Sequence, residues 1–139
     1  MGELLLRKLI LCRERIEKVR GALPAHPEDI VADERAQAFV AFNLFLLIQD
    51  ALDLAAHLVA ERGLAVAGSQ RESLEALARA GILGAESASS MSRMASLRNR
   101  IAHSYGDLDV VRMVRETPAG LEAVRLFLDQ IAAAVDHAS

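Results

Sequence analysis

Leu5, Leu9, Cys12, Ile16, Val19 and Leu23 recur at intervals of four and three, which lays them along one stripe of a helix over about residues 3–22. Gly21 and Pro24 close that helix, and Pro24 to Ala32 reads as a loop or short turn. Asp33 is placed to cap a second helix, with Glu34 suited to its positive end, and Gly63 to terminate it after Arg62. Ser69 followed by Glu72 forms a capping-box pattern for a short third helix that Gly81 ends. A fourth helix is expected over about residues 85–105, stopping at Gly106. Asp107 would cap a short fifth piece through Arg115, and Thr117-Pro118 would open a last helix with a cap and a first-turn proline. No run alternates with the period of a strand and no segment repeats another, so the fold class is all-α, an antiparallel bundle of about five to six helices.

Two helices break their own pattern. The second is apolar nearly all round, yet Asn43, Asp50, Asp53 and His57 fall within a sector of about 80° when residues are stepped at 100°. Either this polar stripe faces water or it lines a cleft against the fourth helix. On the fourth helix Met91, Met94, Ala95, Ile101, Ala102 and Tyr105 share a face with Arg98 in its middle. A guanidinium among core residues must be paired, lie in a cleft, or reach out along its aliphatic stem. An internal ion pair with Asp50 or Asp53 and a functional site both satisfy that condition. His103 leaves the same helix roughly 140° away from Arg98, and the string from Arg98 to Tyr105 brings a phosphate-holding cation, a neutral-pH proton carrier and a phenol toward one helix end.

Composition narrows these options. At 139 residues the chain fits one domain, residues 1–139, and with 53% apolar but 4% aromatic residues its core must be filled by Leu, Ala, Val and Ile. The most apolar stretch, Phe39 to Ala60, is interrupted by Asn43, Gln49, Asp50, Asp53 and His57, and reads as a core helix rather than a membrane span. Residues Met1 to Leu4 run into alternating charged and apolar positions with no secretion signal, and the lone Cys12 has no disulfide partner. A cytoplasmic protein is the expectation. A net charge of −3 argues against broad, non-specific binding to DNA or RNA and leaves room only for local contacts. The basic residues of the first helix read as an ordinary solvated face balanced by Glu3, Glu14 and Glu17. His26, His57, His103 and His137 have no metal-ligand spacing, so no metal and no cofactor are expected. Neither a phosphate-cradling glycine loop nor a Gly-x-Ser-x-Gly elbow is present.

With Arg98, His103 and Tyr105 in the spacing Arg-x4-His-x-Tyr, the chain resembles the HepT family of HEPN-domain toxins that pair with minimal nucleotidyltransferase antitoxins. The order and spacing of Asn43-Leu44, Ile48-Gln49, Ala51 to Ala55, His57 and Ala60 to Gly63 fit the family's second-helix region, as does Met94-Ala95 before Leu97 to Arg100. Phe42 departs from it, standing where a polar residue, often arginine, is expected.

The resemblance implies a HEPN-type bundle, a homodimer, and metal-independent endoribonuclease activity on an RNA substrate, restrained by a cognate minimal nucleotidyltransferase antitoxin. On that reading Arg98 and His103 are catalytic, Asn99 and Tyr105 help to position substrate, and Tyr105 is the hydroxyl that receives AMP. Asp50 or Asp53 is expected to hold Arg98 or His103 in place. Because Arg98 and His103 diverge on one straight helix, a two-fold axis near the fourth helix would gather groups from two chains. A non-catalytic HEPN module that binds a nucleotide or a nucleotidyltransferase is the alternative, since Arg98 as an anion clamp serves it equally.

Overall fold

The computed structural model of the chain describes residues 2–64 and 68–137. Met1, the link at residues 65–67, residues 138–139 and the side chain of His137 lie outside the described residues. Among the described residues there are five α-helices and no strand: α1 (Gly2–Ala22), α2 (Glu34–Arg62), α3 (Gln70–Arg79), α4 (Ala85–Ser104) and α5 (Val110–His137). Two short 3-10 turns, Pro27–Ala32 and Tyr105–Asp107, precede α2 and α5.

Local chemistry sets most of these boundaries. The Asp33 side chain accepts from the Ala36 N–H and opens α2, and Gly63, with φ of 60°, takes the left-handed conformation that closes it. Ser69 accepts from the Glu72 N–H, while the Glu72 carboxylate reaches back to the N–H of Gly68 at 2.9 Å rather than to Ser69 itself. The helix still gains both reciprocal bonds of a capping box, shifted by one residue.

Four helices form a ring around one core. Paired positions run in opposite senses along each seam: Lys8 meets Asp50 and Arg15 meets Asn43 between α1 and α2, and Arg13 meets Asp129 and Arg20 meets Glu122 between α1 and α5. Between α4 and α5, Gly84 meets Gln130 and Met94 meets Gly120. Neighbours are therefore antiparallel, as short links require. The small α3 packs against α2 and α4. By length and composition α2 is apolar enough to cross a membrane, with a mean hydropathy of 1.6 in its most apolar window. It is nevertheless the central helix, burying Leu44, Leu47, Ile48, Leu52, Leu54 and Leu58 completely or nearly so.

The end of α4 and the start of α5 depart from the expectation. Helix α4 tightens into a 3-10 turn after Ser104, and Gly106 sits inside that turn without a positive φ. Asp109, not Asp107, caps α5, its carboxylate accepting from the Arg112 N–H at 3.0 Å. From Val110 the chain then runs as one helix straight through Pro118. Met113, Val114, Thr117, Leu121, Val124 and Leu128 are all buried, so a continuous apolar stripe outweighs the proline's local preference. Thr117 does not cap a new helix; its hydroxyl donates to the Met113 carbonyl at 2.6 Å.

Candidate functional site around Arg98

The face of α4 that carries Arg98 begins in the core and ends in solvent. Met91, Met94 and Ile101 are buried, whereas Ala102, His103, Ser104 and Tyr105 are exposed. Arg98 is half-buried at the transition, and its head group reaches across to α2. The height of α4 is fixed from behind by α5, where the backbone at Gly120 passes so close that a Cβ would stand 3.1 Å from the Met94 Sδ and Cε.

The guanidinium is held by neutral groups. Its Nη1 donates to Gln49 Oε1 of α2 at 3.0 Å, and its Nε and Nη2 both donate to Asn99 Oδ1, at 3.2 and 2.7 Å. Gln49 in turn donates through Nε2 to Asp53 Oδ1 at 3.2 Å. The internal ion pair is thus not formed, and a glutamine occupies the place that the sequence assigned to Asp50 or Asp53. Asp53 reaches Arg98 only through Gln49. Asp50 lies on the other flank of α2, 4.0 Å from the Lys8 Nζ. The polar stripe of α2 accordingly neither faces water as a whole nor lines one cleft. Asn43 is buried and accepts from Arg15 at 2.7 Å, and His57 lies 3.6 Å from the Glu61 carboxylate.

His103 and Tyr105 make no side-chain hydrogen bond among the described residues and are open to solvent. His103 stands about 7.5 Å along the helix axis from Arg98 and about 140° round it. The two side chains therefore leave α4 in different directions. Two further features lie near this face, one of them at Phe42, the position that departs from the family pattern. Phe39 and Phe42 of α2 are 45% and 60% exposed, and Phe42 lies two turns from Gln49 on nearly the same side of the helix. On the opposite flank of α4, a groove of 930 Å³ runs between α4 and α5 and includes Ser90, Arg93, Leu97, Arg100, Ser104 and Arg112.

Several arginines elsewhere are paired with carboxylates or tied to backbone. The basic positions of α1 do not simply face water: Arg20 and Arg125 share the carboxylates of Glu17 and Glu122 across the α1 and α5 seam at 3.0 to 3.7 Å. Burial, reinforced by the negative charge of Asp50, pushes the Cys12 thiol up to about 12, so it is a packed core group and not a nucleophile. Among the described residues no three His, Cys, Asp or Glu side chains are grouped as metal ligands would be.

The chain covers 96% of its length, and 99% of the relative's, in an alignment at 25% identity with a protein named mRNA nuclease HepT from Shewanella oneidensis. Its fold matches a HEPN toxin of Shewanella oneidensis solved as a tri-AMPylated protein in complex with an MNT antitoxin, with a TM-score of 0.87 at 23% identity over 96% of this chain and 99% of that one. It also matches YutE of Bacillus subtilis, a cytosolic protein of unknown function, with a TM-score of 0.82 at 14% identity over 96% and 89%. The bundle is therefore shared more widely than any one sequence pattern. Residues 12–131 match the model of the HepT-like ribonucleases, and with that stretch spanning α1 to α5 and the Arg98, His103, Tyr105 motif at the tip of α4, the chain belongs to the HepT-like ribonuclease family.

Proposed function

We propose that this chain is the toxin of a toxin and antitoxin pair, a single-domain endoribonuclease that cuts RNA without a metal and acts as a homodimer. The observation that carries this reading is Arg98, half-buried and fixed by neutral partners, on the same helix as the exposed His103. A cation held in place but not neutralised is suited to the charge that gathers on phosphate oxygens during cleavage.

In the reaction the ribose 2′-hydroxyl attacks the adjacent phosphorus and the bond to the 5′-oxygen breaks. A cyclic 2′,3′-phosphate and a 5′-hydroxyl result. One imidazole takes the 2′-hydroxyl proton and a protonated imidazole gives one to the departing 5′-oxygen, the task for which histidine is best matched near neutral pH. The nucleophile belongs to the substrate, so the step calls for no metal-bound water. Asn99 steers the guanidinium, and Tyr105 lies against the substrate beside His103.

A second copy resolves the divergence of Arg98 and His103. Exposed Phe42 continues the side of α2 that bears Gln49, with exposed Phe39 on its flank, and covering them with the same face of a partner would set two motifs around a shared cleft. The antitoxin in this reading is a minimal nucleotidyltransferase, as in the complex of the Shewanella oneidensis toxin whose fold is shared. Tyr105 is the acceptor of AMP: it is the sole tyrosine, 44% exposed at the tip of α4. Added AMP would bring a negative phosphate to the cations meant for RNA.

The test is cleavage of a labelled RNA by purified protein with and without His103→Ala. Loss of cleavage, with helix content and oligomeric state unchanged, is expected; full activity in the variant would defeat the assignment. Mass spectrometry after incubation with ATP and the antitoxin should place AMP on Tyr105, together with loss of cleavage.

A further inference from the structure

We infer that Gln49 is a positioning residue for the ribonuclease reaction, fixed by Asp53 so that it aims the Arg98 guanidinium while leaving its charge uncompensated. The inference rests on the ribonuclease reading above. It concerns a residue outside the Arg-x4-His-x-Tyr motif, on a different helix.

The geometry defines the role of each atom. Gln49 and Asp53 are one helical turn apart on α2, and the Gln49 amide donates to Asp53 at 3.2 Å. That bond decides which way the amide faces. With its nitrogen committed to a carboxylate, its oxygen is presented to Arg98 Nη1 at 3.0 Å. The reversed amide would set N–H groups against N–H groups on one side and a carbonyl against a carboxylate on the other. Asn99 takes the opposite edge of the guanidinium through Nε and Nη2. Three of the five N–H bonds are thus directed into neutral oxygens, and the remaining two are left for an anion.

An acidic residue at position 49 would hold the arginine more strongly and serve worse. A carboxylate paired with a guanidinium satisfies its charge as well as its hydrogen bonds, and an arriving phosphate would have to displace it. An amide oxygen orients without competing. The carboxylate of Asp53 is kept one side chain away, where it orders the amide and not the cation.

This predicts an order of effects that a packing role does not. Gln49→Glu is close to isosteric, so a side chain that merely fills space or supports the fold would be harmed less by glutamate than by alanine. A neutral clamp predicts the reverse. In steady-state cleavage of a fluorescently labelled single-stranded RNA, Gln49→Ala should lower kcat on the order of tenfold with KM within about twofold. Gln49→Glu should lower kcat on the order of a hundredfold. Asp53→Asn, which lets the amide face either way, should lower kcat by roughly twofold to fivefold. The Arg98 Nε–H resonance, assigned with Arg98→Lys, should be sharp in the wild type, broadened in Gln49→Ala and sharp again in Gln49→Glu. Low kcat together with an ordered guanidinium in Gln49→Glu would mark neutralisation rather than disorder. Wild-type cleavage with Gln49→Glu as active as wild type, or more active than Gln49→Ala, overturns the inference. Wild-type protein that cuts no RNA overturns the ribonuclease reading instead.

Discussion

Two seams of this bundle use arginine in opposite ways. Between α1 and α5, Arg13, Arg20 and Arg125 each meet a carboxylate, with Arg20 and Arg125 sharing Glu17 and Glu122 in a four-residue network. Between α2 and α4, Arg98 meets only the amide oxygens of Gln49 and Asn99. The first arrangement cancels charge at an exposed surface, where each pair contributes little to stability and less still at high salt. The second holds a half-buried cation in a fixed orientation and keeps its charge available. On the proposed function the difference separates an arginine that joins two helices from one prepared to receive an anion, and the identity of the hydrogen-bond acceptor makes the distinction.

The largest expected effect is the contrast between the seams themselves. Arg98→Ala should lower kcat for RNA cleavage by about 100-fold to 1,000-fold, the usual loss when a group that stabilises transition-state charge is removed. Its melting temperature should move by only a few degrees, because the bonds lost are to partners that water can reach. Arg125→Ala should leave cleavage unchanged. Equal loss of activity in both variants, measured beside their thermal melts, would erase the comparison.

Next is the proposed two-fold contact. A charged side chain at Phe42 would lie where an aromatic anchor is expected to be covered, and truncating such anchors costs about 2 kcal/mol or more of association, roughly 30-fold in dimer affinity. Phe42→Glu should therefore shift the protein toward monomer in light scattering at micromolar concentration. Cleavage should fall in parallel and return as protein concentration is raised. A fully active monomer would show that one chain completes the site.

How much of this was legible in the sequence depends on the range of the forces involved. The bounds of α2 and α3 were readable because Asp33, Gly63, Ser69 and Gly81 act within a few residues of themselves. The passage of α5 through Pro118 was not, since Thr117-Pro118 has the local form of a helix start and only burial on a continuous stripe overrides it. Arg98 could be singled out as a charge on an apolar face. Its partner could not be chosen, because an arginine makes an acid the expected acceptor and Asp50 and Asp53 both lie within about one turn of Gln49. Gln49 sits about 40° outside the stripe that contained them. The exposure of Phe39 and Phe42 was hidden for the same reason: on a helix apolar nearly all round, periodicity does not say which side lacks a neighbour.

Arg15 provides a narrower test of what a neutral acceptor means. Like Arg98 it donates to an amide oxygen, that of Asn43 at 2.7 Å, but Asn43 is itself buried and also donates to the Phe39 carbonyl at 2.8 Å. The bond satisfies an interior acceptor rather than preparing a cation for a ligand. Arg15→Ala should consequently cost about 1–3 kcal/mol of stability by leaving the Asn43 oxygen without its donor. Cleavage per folded molecule should be unaffected. Loss of activity without loss of stability would instead make Arg15 a second functional cation, and the contrast would then lie between α1 and its own two faces.

The smallest expected effect is also the most selective, because Cys12 reports on the α1 seam from within. Its thiol is buried and held up to about 12, raised from an ordinary 9.0 mainly by burial and then by Asp50. The unfolded chain ionises first, so this burial contributes stability in full below about pH 9 and loses it as pH rises toward the folded value. At pH 8 a thiol reagent should therefore react only when α1 opens, and the labelling rate measures that opening. Removing one exposed pair with Arg20→Ala should destabilise the seam by at most about 1 kcal/mol and speed labelling by up to roughly fivefold. High salt should bring the wild type closer to the variant by screening the same charges. Arg98→Ala should leave the rate where it is, since that guanidinium's hydrogen bonds go to α2 and α4 and not to α1. Faster labelling in Arg98→Ala than in Arg20→Ala would mean that the α2 and α4 clamp supports the bundle after all, and that its neutral acceptors serve packing rather than an anion.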